Sequence, residues 1–312
     1  MSTGRWLVRH RMLLLSSVVF VTFAPVGLFA LPLAALLAMS PVRTPKEAMT
    51  LAVAGGFSLV WLLDMGELPD QVIRAAAVLA TAVFVPVTRY YSMPVTHRSL
   101  TAVGFAALCV AGMLLALGSS WGELRWWAGH EASLSVRIVS QVLWMAAQDG
   151  SSAAAEIATL VGSSVRYAAD YFPAGVALQL IAGLSLATAI YSRVAAAPHG
   201  PGLARFSQFR FNENIGWVAI PPLLVILIPM LAAAEIGATN LLIVMGALYA
   251  LRGASIVAFG LRLVGASSGL MIAAITVAAL LILPVAVAGA ILLGIVDSGL
   301  DLRRRWTAPP AR

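Results

Sequence analysis

Charge is scarce in this 312-residue chain: 11% of its residues are Asp, Glu, Lys or Arg, against 61% hydrophobic, and mean hydropathy is +0.93. A soluble globular domain carries about 25% charged residues, so this chain lacks the polar surface to fold as one. Cysteine is nearly missing as well. Cys109 stands alone inside an apolar run, which excludes a disulfide framework or a cysteine-bound zinc and leaves a small core side chain. Lysine occurs once, at Lys46, so the net charge of +7 is carried by arginine. In a soluble domain that balance would suggest nucleic acid. Here the basic residues sit in short gaps beside apolar runs, where they set membrane orientation, and a nucleic-acid partner is excluded. HExxH, GxSxG, GxxxxGK and Gly-rich dinucleotide fingerprints are absent, and His10, His97, His130 and His199 fall singly in different loops. Metal, nucleotide and hydrolase chemistry therefore lack support, no cofactor is implied, and the chain does not read as an enzyme.

What is present is one apolar stretch after another, over 12–40, 48–65, 70–88, 99–118, 171–193, 214–234, 239–262 and 268–296. A helix needs about 20 residues to cross the hydrocarbon. The fold class is thus all-α, a polytopic helical bundle whose surroundings are a lipid bilayer. The first and last stretches are too long for single spans. Pro25, Gly27 and Pro32 interrupt one and Pro284 the other, and proline removes a helix donor, so each reads as a pair of half-spans. If both double back, fifteen basic residues fall on the cytoplasmic side and only Arg125, Arg137 and Arg166 outside, with Arg74 and Arg252 counted as intramembrane. That segregation obeys the positive-inside rule, and single crossings do not. Both termini, the loop 194–213 and the tail 297–312 are then expected to be cytoplasmic.

The stretch 121–170 is the one sizeable polar region. Leu134, Ile138, Val142 and Met145 recur at helical spacing, as do Ile157, Leu160, Val161 and Val165, so two amphipathic helices are expected along the outer surface, parted at Gly150 to Ser152. A lid packed over the bundle is the simpler use of them, and a docking platform the alternative. Trp121, Trp126 and Trp127 suit an aromatic belt. Arg5, Arg9 and Arg11 ahead of an apolar run imitate a signal peptide, but the run continues past any small-residue cleavage site into further spans. With no linker or second soluble segment, 1–312 reads as a single membrane domain.

Ionisable groups inside spans should pair or line a wet cavity, because an unpaired charge at mid-membrane costs several kcal/mol. Arg252 is foremost. It shares a helical face with Met245, Tyr249, Ser255 and Phe259. It either ties to a carbonyl or a carboxylate such as Glu235 or Asp64, or it holds an anionic ligand. Asn240 reads first as a helix cap and second as a ligand group, and Gln179 as a bridge between helices. Arg252, Tyr249, Asn240 and Gln179 are the candidate ligand-binding residues. Asp64 and Glu67 read as solvated boundary charges, and Gly265 to Gly269 as a turn more than a helix-packing GxxxG.

In the C-terminal half the pattern is Phe209-Arg210, Trp217, Pro221-Pro222, Asn240-Leu241-Leu242, YALRG at Tyr249 to Gly253, and LLGIVDSGLDLRRR ending at Arg305. It resembles the YybS family of predicted bacterial membrane proteins, with Arg252 where that pattern leads to an expected glutamine. The family is in turn distantly similar to the substrate-binding membrane subunits of energy-coupling-factor transporters, whose first helices are also short and proline-broken. The resemblance implies a small-molecule-binding or transporter-like membrane subunit working with other membrane proteins. An envelope scaffold engaging partners through 121–170 is the alternative from another class, and an intramembrane enzyme acting on a lipid phosphate is a third.

Overall fold

A computed structural model describes residues 15–41, 44–64, 66–118, 121–148, 152–263 and 283–307. No strand occurs among them, and five helical stretches are long and apolar enough to cross a membrane. The chain forms two compact units, Met1–Leu203 and Ala204–Arg312, which divide within the loop 194–213. The Arg5 to Arg11 cluster lies outside the described residues.

In the first unit the opening apolar run is broken where its prolines require. Helix α1 covers 15–23 and α2 Gly27–Ala38, with the turn at 24–26 centred on Pro25. Pro32 stays inside α2. Helices α3 (Pro45–Leu63), α4 (Leu68–Tyr90), α5 (Val95–Ala116) and α8 (Phe172–Val194) follow the expected spans. The core lies among α2, α4, α5 and α8, where Ala76, Ala77 and Ala80 meet Ala102, Ala106, Leu180, Leu184 and Ala187. Small residues at these crossings let backbones approach closely, which matters in lipid because burial from water no longer drives association. Helix α3 buries only Glu47, Ala54 and Ser58 and turns the rest of its surface outward.

Glu47 shows how a buried acid is satisfied locally. Thr44 caps α3 by accepting from the Glu47 N–H, and Glu47 accepts in return from the Thr44 N–H at 2.9 Å. Its other oxygen accepts from the Ala196 N–H, fastening the start of α3 to the segment after α8. Glu47→Ala strands both backbone donors and is expected to cost about 2–4 kcal/mol, since each unsatisfied buried group costs about 1–3 kcal/mol. Thermal unfolding in detergent measures it. A loss equal to that of an exposed Glu67→Ala control would exclude this role. Asp64 is not a lone boundary charge either. Arg74 of α4 reaches back to it with Nη2 2.9 Å from Oδ2 and lies over the Trp61 ring at 5.9 Å, so Asp64 is paired across the α3–α4 turn.

The polar region forms α6 (Trp121–Gln148) and α7 (Ser152–Asp170), which pack against one another. Only the start of α6 is buried, at Leu124 and Ala128. Leu134, Ile138, Val142 and Met145 are between 40% and 77% exposed, so the apolar stripe is left uncovered among the described residues. At a rise of about 1.5 Å per residue, 28 residues make α6 about 42 Å long. That length carries its far half beyond the helices that bury its start.

The second unit holds α9 (Ile220–Leu227), α10 (Glu235–Leu263), α11 (Leu283–Leu300) and the short α12 (Leu302–Thr307), with the 3-10 turn Pro229–Ala234 between α9 and α10 and Asp301 alone between α11 and α12. The expected span 214–234 is not one helix. Pro221, Pro222 and Pro229 divide it into the 3-10 segment Glu213–Ala219, α9 and the 3-10 segment Pro229–Ala234, because proline is tolerated only where no i−4 bond is needed. Pro284 sits in the first turn of α11, where its missing N–H costs nothing. The preceding half of that apolar run, and Gly265 to Gly269, lie outside the described residues. Asp301, at φ +43°, ends α11 in the left-handed conformation that aspartate tolerates and turns the chain into α12.

Candidate functional site

Helix α10 carries Arg252, and the crossing of α11 supplies its partner. Arg252 Nε donates to Asp297 Oδ2 at 2.9 Å and Nη2 to the Asp297 carbonyl at 3.2 Å, with both side chains buried at 2% and 0% exposure. The other carboxylate oxygen accepts the Leu302 N–H at 3.1 Å, so Asp297 also caps the turn into α12. The guanidinium lies 5.4 Å from the Phe211 ring. Neither Glu235 nor Asp64 is the partner. Ser255, one turn further on, has its hydroxyl 2.6 Å from the Arg252 carbonyl and accepts from Arg303 Nη2, which also donates to the Phe209 carbonyl at 3.1 Å. Arg210 pairs with Asp301 and holds that carboxyl below its ordinary range, chiefly through their hydrogen bond. Within the closing DSGLDLRRR, Asp297, Asp301 and Arg303 thus lock the end of α11 to α10 and to the 209–211 strip.

This crossing requires glycine. A Cβ at Gly253 would lie 1.9 Å from the Ala290 carbonyl oxygen, and one at Gly294 would lie 2.2 Å from the Tyr249 carbonyl oxygen. Gly246 and Gly260 face Ile291 and Trp306 on the same side. The resulting series Gly246, Gly253, Gly260 repeats every seven residues, which keeps it on one helix face.

The other candidates separate. Tyr249 stacks edge-on against Phe211 at 5.2 Å, next to Arg252. Asn240 is not a cap, because α10 already begins at Glu235. It is buried in the second turn and donates to the Ile236 carbonyl at 2.8 Å. Gln179 belongs to the first unit and donates to the Phe23 carbonyl at 3.1 Å, tying α8 to the end of α1 as a bridging glutamine would.

Two features of the first unit had no sequence signature. A cavity of about 200 Å³ lies among α4, α5 and α8, lined by Val72, Ala76, Val103, Val110, Leu114 and Val176 and closed at one end by Trp121, Leu124 and Phe172. Beside it, an open groove of about 540 Å³ runs between α6 and α7, with Arg125, Trp126, Gly129, His130, Arg166 and Ala169 in its walls. Arg98 is a further surprise. Expected in a loop, it is fully buried at the start of α5, where Nη2 donates to the Pro201 carbonyl at 2.6 Å and the guanidinium lies 5.9 Å from the Phe84 ring. No carboxylate pairs with it among the described residues.

The family model described as "Predicted membrane protein (DUF2232)" matches residues 11–298. The chain belongs to that family. No curated protein and no solved structure matches it. The DUF2232 match takes in the cavity, the groove and both ends of the Arg252–Asp297 pair. What was missed could have been found only in part. The glycine heptad is legible in α10 and marks the face that another helix approaches. A cavity is side-chain volume left unfilled by three helices together, which no single stretch encodes.

Proposed function

We propose that this DUF2232 protein is a membrane subunit that holds a small apolar molecule in the cavity among α4, α5 and α8. One observation carries the reading: a pocket lined by aliphatic and aromatic side chains inside the helical core of the first unit. At about 200 Å³ it is smaller than the roughly 300–1,000 Å³ of pockets for drug-sized ligands, which suits a single chain or a compact molecule. The proline-broken start, which resembles the short first helices of the substrate-binding membrane subunits of energy-coupling-factor transporters, is consistent with it. Arg252 then serves the second unit as a matched structural charge, and Tyr249 packs beside it. The basic segregation supports cytoplasmic loops at 89–98 and 194–213 and an external α6–α7 hairpin in the inner membrane.

A diazirine-tagged alkane added to membranes tests the cavity. Labelling is expected at Val72, Val110 and Leu114, and filling the space with Ala76→Leu and Ala177→Leu together should cut it about tenfold at unchanged expression. Labelling spread evenly over the lipid-facing residues Leu108 and Leu115, with no effect of filling, would reject the reading. The exposed stripe Leu134, Ile138, Val142 and Met145 favours a second reading, a scaffold that binds another membrane protein along α6. Charged residues at Ile138 and Val142 would then abolish co-purification of that partner while leaving alkane labelling intact.

A further inference from the structure

The cavity and the groove share a wall. On α6, Trp121 and Leu124 face the cavity while Gly122, Arg125, Trp126 and Gly129 face the groove. At the other side of the same wall, Ala169 closes the groove and Phe172 and Pro173 close the cavity. One apolar space and one basic space are thus separated by a single helix turn. Their chemistry is complementary along one line. The cavity presents almost no polar surface, whereas the groove offers Arg125, Arg166 and His130, the last stacked on Trp126 at 5.4 Å.

The acid at the groove is already engaged. Asp170 accepts from Arg125 Nη2 at 3.2 Å and pairs with its Nε, which fixes α6 to the end of α7 and leaves Arg125 about half exposed. Arg166 is exposed and forms no ion pair among the described residues. Guanidinium groups present a donor fork that suits phosphate oxygens. We propose, building on the cavity reading above, that the molecule held here is an anionic amphiphile. Its single hydrocarbon chain enters the cavity beneath Trp121 and Leu124, and its phosphate-type head sits in the groove against Arg166, Arg125 and His130. The two contacts have different origins: the chain is retained by packing, and the head by charge that salt screens.

The experiment is competition against the diazirine alkane in the purified full-length protein. Octanoyl lysophosphatidate is expected to displace the label at a concentration at least tenfold below that of monooctanoin, which has the same chain and no charge. Raising the salt should narrow the gap. Arg166→Gln with His130→Gln should reduce the advantage to less than threefold, and adding Arg125→Gln with Asp170→Asn, which removes that ion pair as a unit, should abolish it. Unchanged displacement by monooctanoin in these variants shows that the cavity is intact. Equal displacement by the two lipids in the wild type overturns the head-group assignment and leaves the cavity reading standing. Displacement by inorganic phosphate alone makes the groove a free-anion site and overturns the amphiphile. Absence of cavity labelling by the alkane overturns both.

Discussion

Asp297→Leu is expected to cost about 3–5 kcal/mol and to unfold the second unit well before the first, because it leaves the Arg252 guanidinium buried beside Phe211 without its carboxylate. Arg252→Leu should cost a similar amount by stranding the acid. The double replacement should recover most of the loss, since taking a buried pair out as a unit returns the desolvation of both ions. It will not recover all of it. The Leu302 N–H loses its acceptor, a deficit of about 1–3 kcal/mol. Thermal unfolding of the four proteins in detergent, read as a double-mutant cycle, gives the coupling directly. If the two single losses simply add, the ion pair is not what holds α11 to α10. If Arg252→Leu leaves stability unchanged, Arg252 regains its claim as a ligand group.

Gly253→Ala should be the most damaging one-carbon change in the chain. The new methyl would meet a backbone carbonyl of α11, which cannot rotate aside as a side chain can, so the two helices must separate along their length. Overpacking commonly costs about 1–3 kcal/mol, and here separation also stretches the Arg252–Asp297 hydrogen bonds, so the upper end or more is expected. Gly294→Ala makes the reciprocal clash with Tyr249 and should match it. Gly289→Ala, which meets nothing within 4 Å, is the control on the same helix and should raise stability by about 0.5–1 kcal/mol through helix propensity. Equal effects at Gly253 and Gly289 would mean that helix propensity, and not contact, governs these positions.

The sequence carried the spans well because lipid imposes length and apolarity on each one locally. The break at Pro25, the start of α11 at Pro284 and the parting of α6 from α7 were legible for the same reason: proline and glycine act on their own few residues. Arg252 was legible as a charge needing a partner, but the partner was not. Asp297 is 45 residues away and reads as an acid before a run of arginines, and only the crossing of α10 over α11 joins them. Asn240 misled because Thr239-Asn240 looks like a cap, whereas the helix gains another turn from Glu235. Arg98 misled because a basic residue beside a span is usually solvated, and here Gly200 and Pro201 fold over it.

The pairing of Arg252 with Asp297 also bears on how the second unit is made. Until α11 has been synthesised, α10 carries a cation with nothing to neutralise it, at a cost on insertion of about 2.5–3.5 kcal/mol for a residue at the helix centre. A ribosome stalled between the two helices would leave that cation facing lipid or translocon. Once α11 has packed on α10, the Arg252–Asp297 pair neutralises the charge at the same place. A chain that ends before α11 therefore carries an unmatched arginine in its membrane segment, and completion of α11 removes it.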